Sequence, residues 1–152
     1  MKIVSWQKLK NLGVPMKWYW FLTNVALYAS AVINLLIGFS ALTGALHKDA
    51  AAAETRIGGL DTLYGVALIA LAAFAVVARI MMADFRRDAP KTFMLMYILS
   101  VVIMMLYSVG INRLTGAGGN SIIILIVSAV VSLVFFGANL VYFSKRSNLF
   151  TK

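Results

Sequence analysis

The sequence predicts an all-α integral membrane protein, a four-helix bundle with both termini on the cytoplasmic side. Three observations predict it. Hydrophobic residues fill 62% of the 152 positions and charged residues only 12%, about half the charge of a soluble domain. Such a surface cannot be covered in water, so lipid is the expected solvent. Apolar runs cover about 19–43, 62–82, 92–111 and 121–143, each near the ~20 residues that cross a hydrocarbon core. Lysine and arginine crowd onto one side of such a topology. Lys2, Lys8, Lys10, Lys17, Arg79, Arg86, Arg87, Lys91, Lys145, Arg146 and Lys152 would share it, against Lys48, Arg56 and Arg113 opposite. The positive-inside rule makes the richer side cytoplasmic.

Residues 1–17 form a basic amphipathic segment. Ile3, Trp6 and Leu9 recur every three residues among Lys2, Lys8 and Lys10. A short helix lying on the membrane interface would show this pattern, and that reading is preferred to a disordered basic tail. Gly13 and Pro15 break it. Trp18-Tyr19-Trp20 then opens the first span with an interfacial aromatic belt. The apolar run exceeds the ~7–15 residues of a signal peptide core, so an uncleaved span is expected. Gly44 is placed to end this helix in a left-handed cap.

The connection to residue 60 reads as a loop, with Gly58-Gly59 as a stop and Asp61 as N-cap of the second span. That span carries Ala67, Ala70, Ala72, Ala73, Ala75 and Ala78. Small residues let helices approach closely in lipid, so this helix is expected at the centre. Arg79 ends it and is expected to snorkel toward headgroups. The block Arg79–Lys91 is the hinge between two helical hairpins. Asp84 and Asp88 leave it about two charges positive, which suits anchoring to headgroups better than gripping a strongly anionic partner. Pro90 starts the third helix, because a first-turn proline forfeits no bond. A glycine-rich loop precedes the fourth span, and residues 147–152 form a short cytoplasmic tail.

Gly38-Phe-Ser-Ala-Leu-Thr-Gly-Ala45 is echoed by Gly110-Ile-Asn-Arg-Leu-Thr-Gly-Ala117. Two readings stand side by side: a tandem duplication of hairpins, or convergent cap chemistry.

Polar residues within spans are the usual functional clue. Ser30 and Asn34 lie on one ridge of the first helix. Ser128, Ser132 and Asn139 share a face of the fourth. These two stripes are the candidate site, either as interhelical hydrogen-bonding glue or as the lining of a narrow polar path. Arg86, Arg87 and Lys91, with Arg79, are the headgroup and topology residues. No Asp, Glu, Lys or His is placed deep in a span by this reading, which argues against proton-coupled transport. Met81, Met82, Met94, Met96, Met104 and Met105 suit gap-filling better than a soft-metal site. His47, Asp49 and Glu54 match no metal signature. The chain has no cysteine, hence no thiolate chemistry. No nucleophile–base pair or phosphate loop appears, so no catalytic residue, metal or cofactor is expected. The net charge of +9 flanks apolar runs instead of forming a face, so the expected partner is the lipid bilayer and not nucleic acid.

Met16-Lys-Trp-Tyr-Trp-Phe-Leu22, Asn34-Leu-Leu-Ile-Gly38, Leu42-Thr-Gly44 and Leu60-Asp-Thr-Leu-Tyr-Gly-Val-Ala-Leu-Ile-Ala-Leu71 together resemble a group of uncharacterised four-span membrane proteins of Gram-positive bacteria. Some of these carry a cytoplasmic zinc ribbon, which a chain without cysteine cannot form. The resemblance implies the four-span architecture and a bacterial cell membrane, and no activity. The functional expectation is a small non-enzymatic membrane protein. It would act through helix–helix assembly, with itself or a larger membrane partner, on the small-residue faces of its first two helices. The alternative is a small transporter or channel-like protein with a polar path between helices one and four.

Overall fold

The computed structural model describes Val4, residues 9–10, Gly13 and the ranges 16–47, 54–116 and 120–151. Four long helices follow one another: α1, Lys17–Leu42; α2, Glu54–Ala83; α3, Ala89–Thr115; α4, Asn120–Ser144. All four are long and apolar enough to cross a membrane, and no strand occurs among the described residues. The chain is a multi-pass, all-α membrane protein.

Helix α2 is the centre, packed along α1 on one side and α3 on the other. Its alanines are why. Ala72, Ala75 and Ala78 are buried, and the crossing with α1 is closer still at Gly38 and Gly65. A Cβ added to Gly65 would lie 2.8 Å from the Gly38 carbonyl oxygen, and one added to Gly38 would lie 3.0 Å from that of Gly65. Only hydrogen fits on either face. With little water to expel inside a bilayer, this backbone-to-backbone packing is what joins helices.

Helix ends follow local chemistry. Gly44 (φ +70°) and Gly116 (φ +67°) both take the left-handed conformation. Before each, a threonine hydroxyl donates to the carbonyl four residues back, Thr43 to Phe39 at 3.0 Å and Thr115 to Ile111 at 2.9 Å. The Leu-Thr-Gly-Ala echo is thus the same cap made twice. The two hairpins pack differently: the counterpart of Gly38, Gly110, faces Leu60 of α2 and not α4. Pro90 lies in the first turn of α3, as expected.

One expectation changes and two features are new. Helix α2 runs through Gly58-Gly59 from Glu54, so Asp61 sits inside the helix and does not cap it. Exposed glycines cost a helix only about 1 kcal/mol each, and Ile57 just before them is buried, 2% exposed. Second, α1 contains a wide π turn at Leu22–Ala26. There Asn24 exchanges two hydrogen bonds of 3.2 Å with the backbone of Val4. Third, most of the predicted interfacial segment lies outside the described residues; of it, Val4 and Leu9 are buried with the core cluster.

The starts of α1 and α3 and the ends of α2 and α4 meet at one end of the bundle. This basic end holds Arg86, Arg87, Lys91, Lys145 and Arg146. It is closed by rings: Tyr19 stacks on Phe85 at 5.1 Å, and Phe150 meets Phe85 and Phe143 edge-on or tilted at 6.0 Å. Phe85 has φ +54°, a strained value for a bulky residue. Burying its ring in this cluster offsets the strain.

Candidate functional site

The two predicted stripes do not face each other along their length. Asn34 donates to Ser30 of its own helix at 3.4 Å. Ser132 contributes its backbone carbonyl, which accepts from the Tyr97 hydroxyl of α3 at 3.4 Å. On α3, Ser100 and Ser108 bond back to the carbonyls of Tyr97 and Met104, each at 2.8 Å. Such bonding satisfies a hydroxyl inside its own helix. Neither Asn34 nor Ser128 borders any of the three cavities described below. The fifth residue differs. Asn139 is 1% exposed; it accepts from the Trp18 indole N–H at 3.0 Å and donates to the Phe135 carbonyl at 2.9 Å.

Trp18 and Asn139 belong to a clasp between the start of α1 and the end of α4. Trp18 also meets Phe135 edge-on at 6.1 Å. The Tyr142 hydroxyl accepts the Tyr19 backbone N–H at 3.2 Å, one of the first-turn donors a helix leaves without an intrahelical partner. The Tyr19 hydroxyl in turn donates to the Met82 carbonyl in the last turn of α2. Three helix ends are thereby tied by side chains of their neighbours. Sequence reasoning read Trp18 and Tyr19 as an interfacial belt. Their partners lie 63 to 123 residues away in sequence, which no local signal reveals.

Two charged residues missed as interior ones lie within the spans. Asp61 is 2% exposed and accepts from the Tyr107 hydroxyl at 2.7 Å, while Tyr107 stacks flat on Tyr64 at 3.8 Å. No carboxylate was expected deep in a span; α2 begins about two turns earlier than expected, which makes Asp61 the fifth residue of the apolar stretch Ile57–Ala83. The available signal was the i, i+3 spacing of Asp61 and Tyr64, which places both on one helix face. Arg79 is the second. It is 3% exposed, and its guanidinium lies 4.9 Å from the centre of the Tyr28 ring. Snorkelling does not occur because side chains lean toward the helix N-terminus, and for α2 that direction leads into the bundle. Arg86, Arg87 and Lys91 are exposed.

Helix α4 is the loosest element. In its most apolar stretch 6% of residues are buried, against 39% in α2. It lies against α3 and reaches α1 through the clasp. Two cavities open between α3 and α4. One, of about 720 Å³ at the basic end, includes Arg87, Lys91, Met94, Ile98 and Phe143 in its wall. The other, of about 430 Å³, lies deeper and includes Ile98, Met105, Ala129 and Leu133. A third, of about 570 Å³, lies on the hinge among Asp84, Arg86, Arg87 and Asp88. Of the methionines, Met16, Met82, Met94 and Met96 are buried in the core cluster. Among the described residues no three His, Cys, Asp or Glu side chains gather; Asp49 and the side chains of His47 and Glu54 lie outside them.

No family model, no curated protein and no solved structure matches this chain.

Proposed function

We propose that the protein is a non-enzymatic assembly element of a bacterial cell membrane, with both termini cytoplasmic, that associates laterally through α4. The small-residue faces of α1 and α2, the surface first expected to do this, are consumed within the chain at Gly38, Ala41, Gly65 and Ala72. The observation that carries the reading is the loose seating of α4 together with its outward face. Val127, Val130, Val131 and Val134 are 54–68% exposed and recur at helical spacing. β-Branched side chains have one dominant rotamer in a helix, so a second helix packing on this ridge loses little side-chain entropy. The partner is a second copy or a larger membrane protein with a matching apolar helix.

The chain's lack of cysteine makes the test clean. Val127→Cys, Val131→Cys and Val134→Cys are each oxidised in native membranes beside Leu63→Cys, a position 71% exposed on α2. Disulfide-linked dimers at the α4 positions alone support self-association. Where these are absent, mild-detergent capture with mass spectrometry must return a stoichiometric membrane partner that the Val131→Trp variant loses. Recovery of the protein alone and monomeric refutes the proposal. The transport alternative would run through the deeper α3/α4 cavity, which Ser132 of the stripe borders and Asn34 and Ser128 do not.

A further inference from the structure

The two cavities between α3 and α4 share Ile98 and lie end to end along α3. From their combination we infer that this groove is a binding site for one anionic phospholipid of the leaflet at the basic end.

Charge is arranged for it. The hinge is about two charges positive in sequence, and folding brings two of its cations to the groove. Arg87 and Lys91 border the groove mouth, together with Ser144 and Ser147, and among the described residues no acidic one borders it. Asp84 and Asp88 border the neighbouring hinge cavity with Arg86 and with Arg87, which borders both cavities. Lys91 lies 3.5 Å from Asp88, with side chains 82% and 65% exposed; an ion pair so solvated is worth little and leaves Lys91 available. A phosphodiester at the mouth would meet two cations and two hydroxyl donors. Basic pockets between transmembrane helices on the cytoplasmic side take such headgroups.

Length and polarity suit the acyl chain. Below the mouth the wall is Met94, Leu95, Ile98 and Leu140, then Val101 and Met105. From Met94 to Met105 is about 17 Å along the helix at ~1.5 Å per residue. One leaflet's share of a ~30 Å hydrocarbon core is about 15 Å. The hydroxyl of Tyr97, the polar side chain best placed to interrupt this wall, donates to the Ser132 carbonyl. The groove therefore offers a headgroup site and an apolar slot of one-leaflet depth, in the right order.

The test is native mass spectrometry of the full chain in detergent, titrated with dioleoyl-phosphatidylglycerol or dioleoyl-phosphatidylcholine. One phosphatidylglycerol should be retained in preference to phosphatidylcholine. Arg87→Gln and Lys91→Gln should each weaken retention about fivefold, and Ile98→Trp should abolish it by filling the slot. Arg86→Gln, outside the groove and of equal charge change, should retain the lipid. Intrinsic tryptophan fluorescence confirms that each variant is folded; if Ile98→Trp is not, Val101→Phe replaces it. Equal retention of both lipids, equal loss in Arg86→Gln, or full displacement by inorganic phosphate would overturn the inference. So would a dimer in which the groove variants abolish association.

Discussion

Replacing Gly65 with alanine isolates the contact on which the centre of the bundle rests. The new methyl would stand 2.8 Å from the Gly38 carbonyl oxygen, 3.0 Å from Leu42 Cγ and 3.2 Å from Ala41 Cβ. The nearest obstacle is backbone, which cannot rotate away, so α1 and α2 must separate. Overpacking of this kind costs about 1–3 kcal/mol, and the rigid obstacle places it in the upper half of that range. Alanine returns about 1 kcal/mol through helix propensity. The net loss is about 1–2 kcal/mol. Gly38→Ala meets the Gly65 carbonyl and Ile69 Cγ1, each at 3.0 Å against 2.8 Å for the Gly65 case; the carbonyl is backbone here too but needs to give less, and the isoleucine can shift. Its overpacking falls in the lower half of the same range, so its net cost is under about 1 kcal/mol. Gly137 has nothing within 4 Å, so Gly137→Ala should be neutral or stabilising by up to about 1 kcal/mol. Titration with sodium dodecyl sulfate in mixed micelles, followed by tryptophan fluorescence, measures all three. Trp18 in the clasp reports loss of tertiary packing while helices persist. A Gly65→Ala protein as stable as the parent, or more stable than Gly38→Ala, would refute the close-crossing argument.

The same titration reads two interior polar contacts. Tyr107→Phe removes a donor from a buried carboxylate and should cost about 1–3 kcal/mol, an effect that disappears in an Asp61→Ala background; additive losses would mean the two do not interact. A cycle of Arg79→Met and Tyr28→Leu should give a coupling of about 0.5–2 kcal/mol, whereas a value near zero would leave the ring contact without energetic content. The orientation is tested by alkaline phosphatase fusions, active after residue 50 or 117 and silent after residue 88; the opposite pattern inverts the protein in the membrane.

Sequence alone determined the solvent, the number of helices and much of their boundaries. Those properties are set by local quantities: runs of apolar residues long enough to cross hydrocarbon, glycines that accept a left-handed turn at positions 44 and 116, and a proline tolerated in a first turn at position 90. Each is visible in a window of one or two helical turns. The alanine-rich character of α2 also marked it as central, because small side chains matter wherever helices meet in lipid.

Tertiary structure decided what each polar residue does. Asn34 and Asn139 have the same chemistry and equally apolar surroundings in sequence, yet one bonds within its own helix and the other holds Trp18 of a distant one. Arg79 was read as a headgroup anchor; it turns inward because of the direction α2 runs relative to α1, where Tyr28 waits. The hinge is about two charges positive along the chain, and only folding puts Arg87 and Lys91 together on the groove, with Arg87 also bordering the cavity of Asp84 and Asp88. In each case the deciding quantity is which helix faces which, and at what depth. A single helix presents every direction equally to its sequence; only packing against a neighbour selects one.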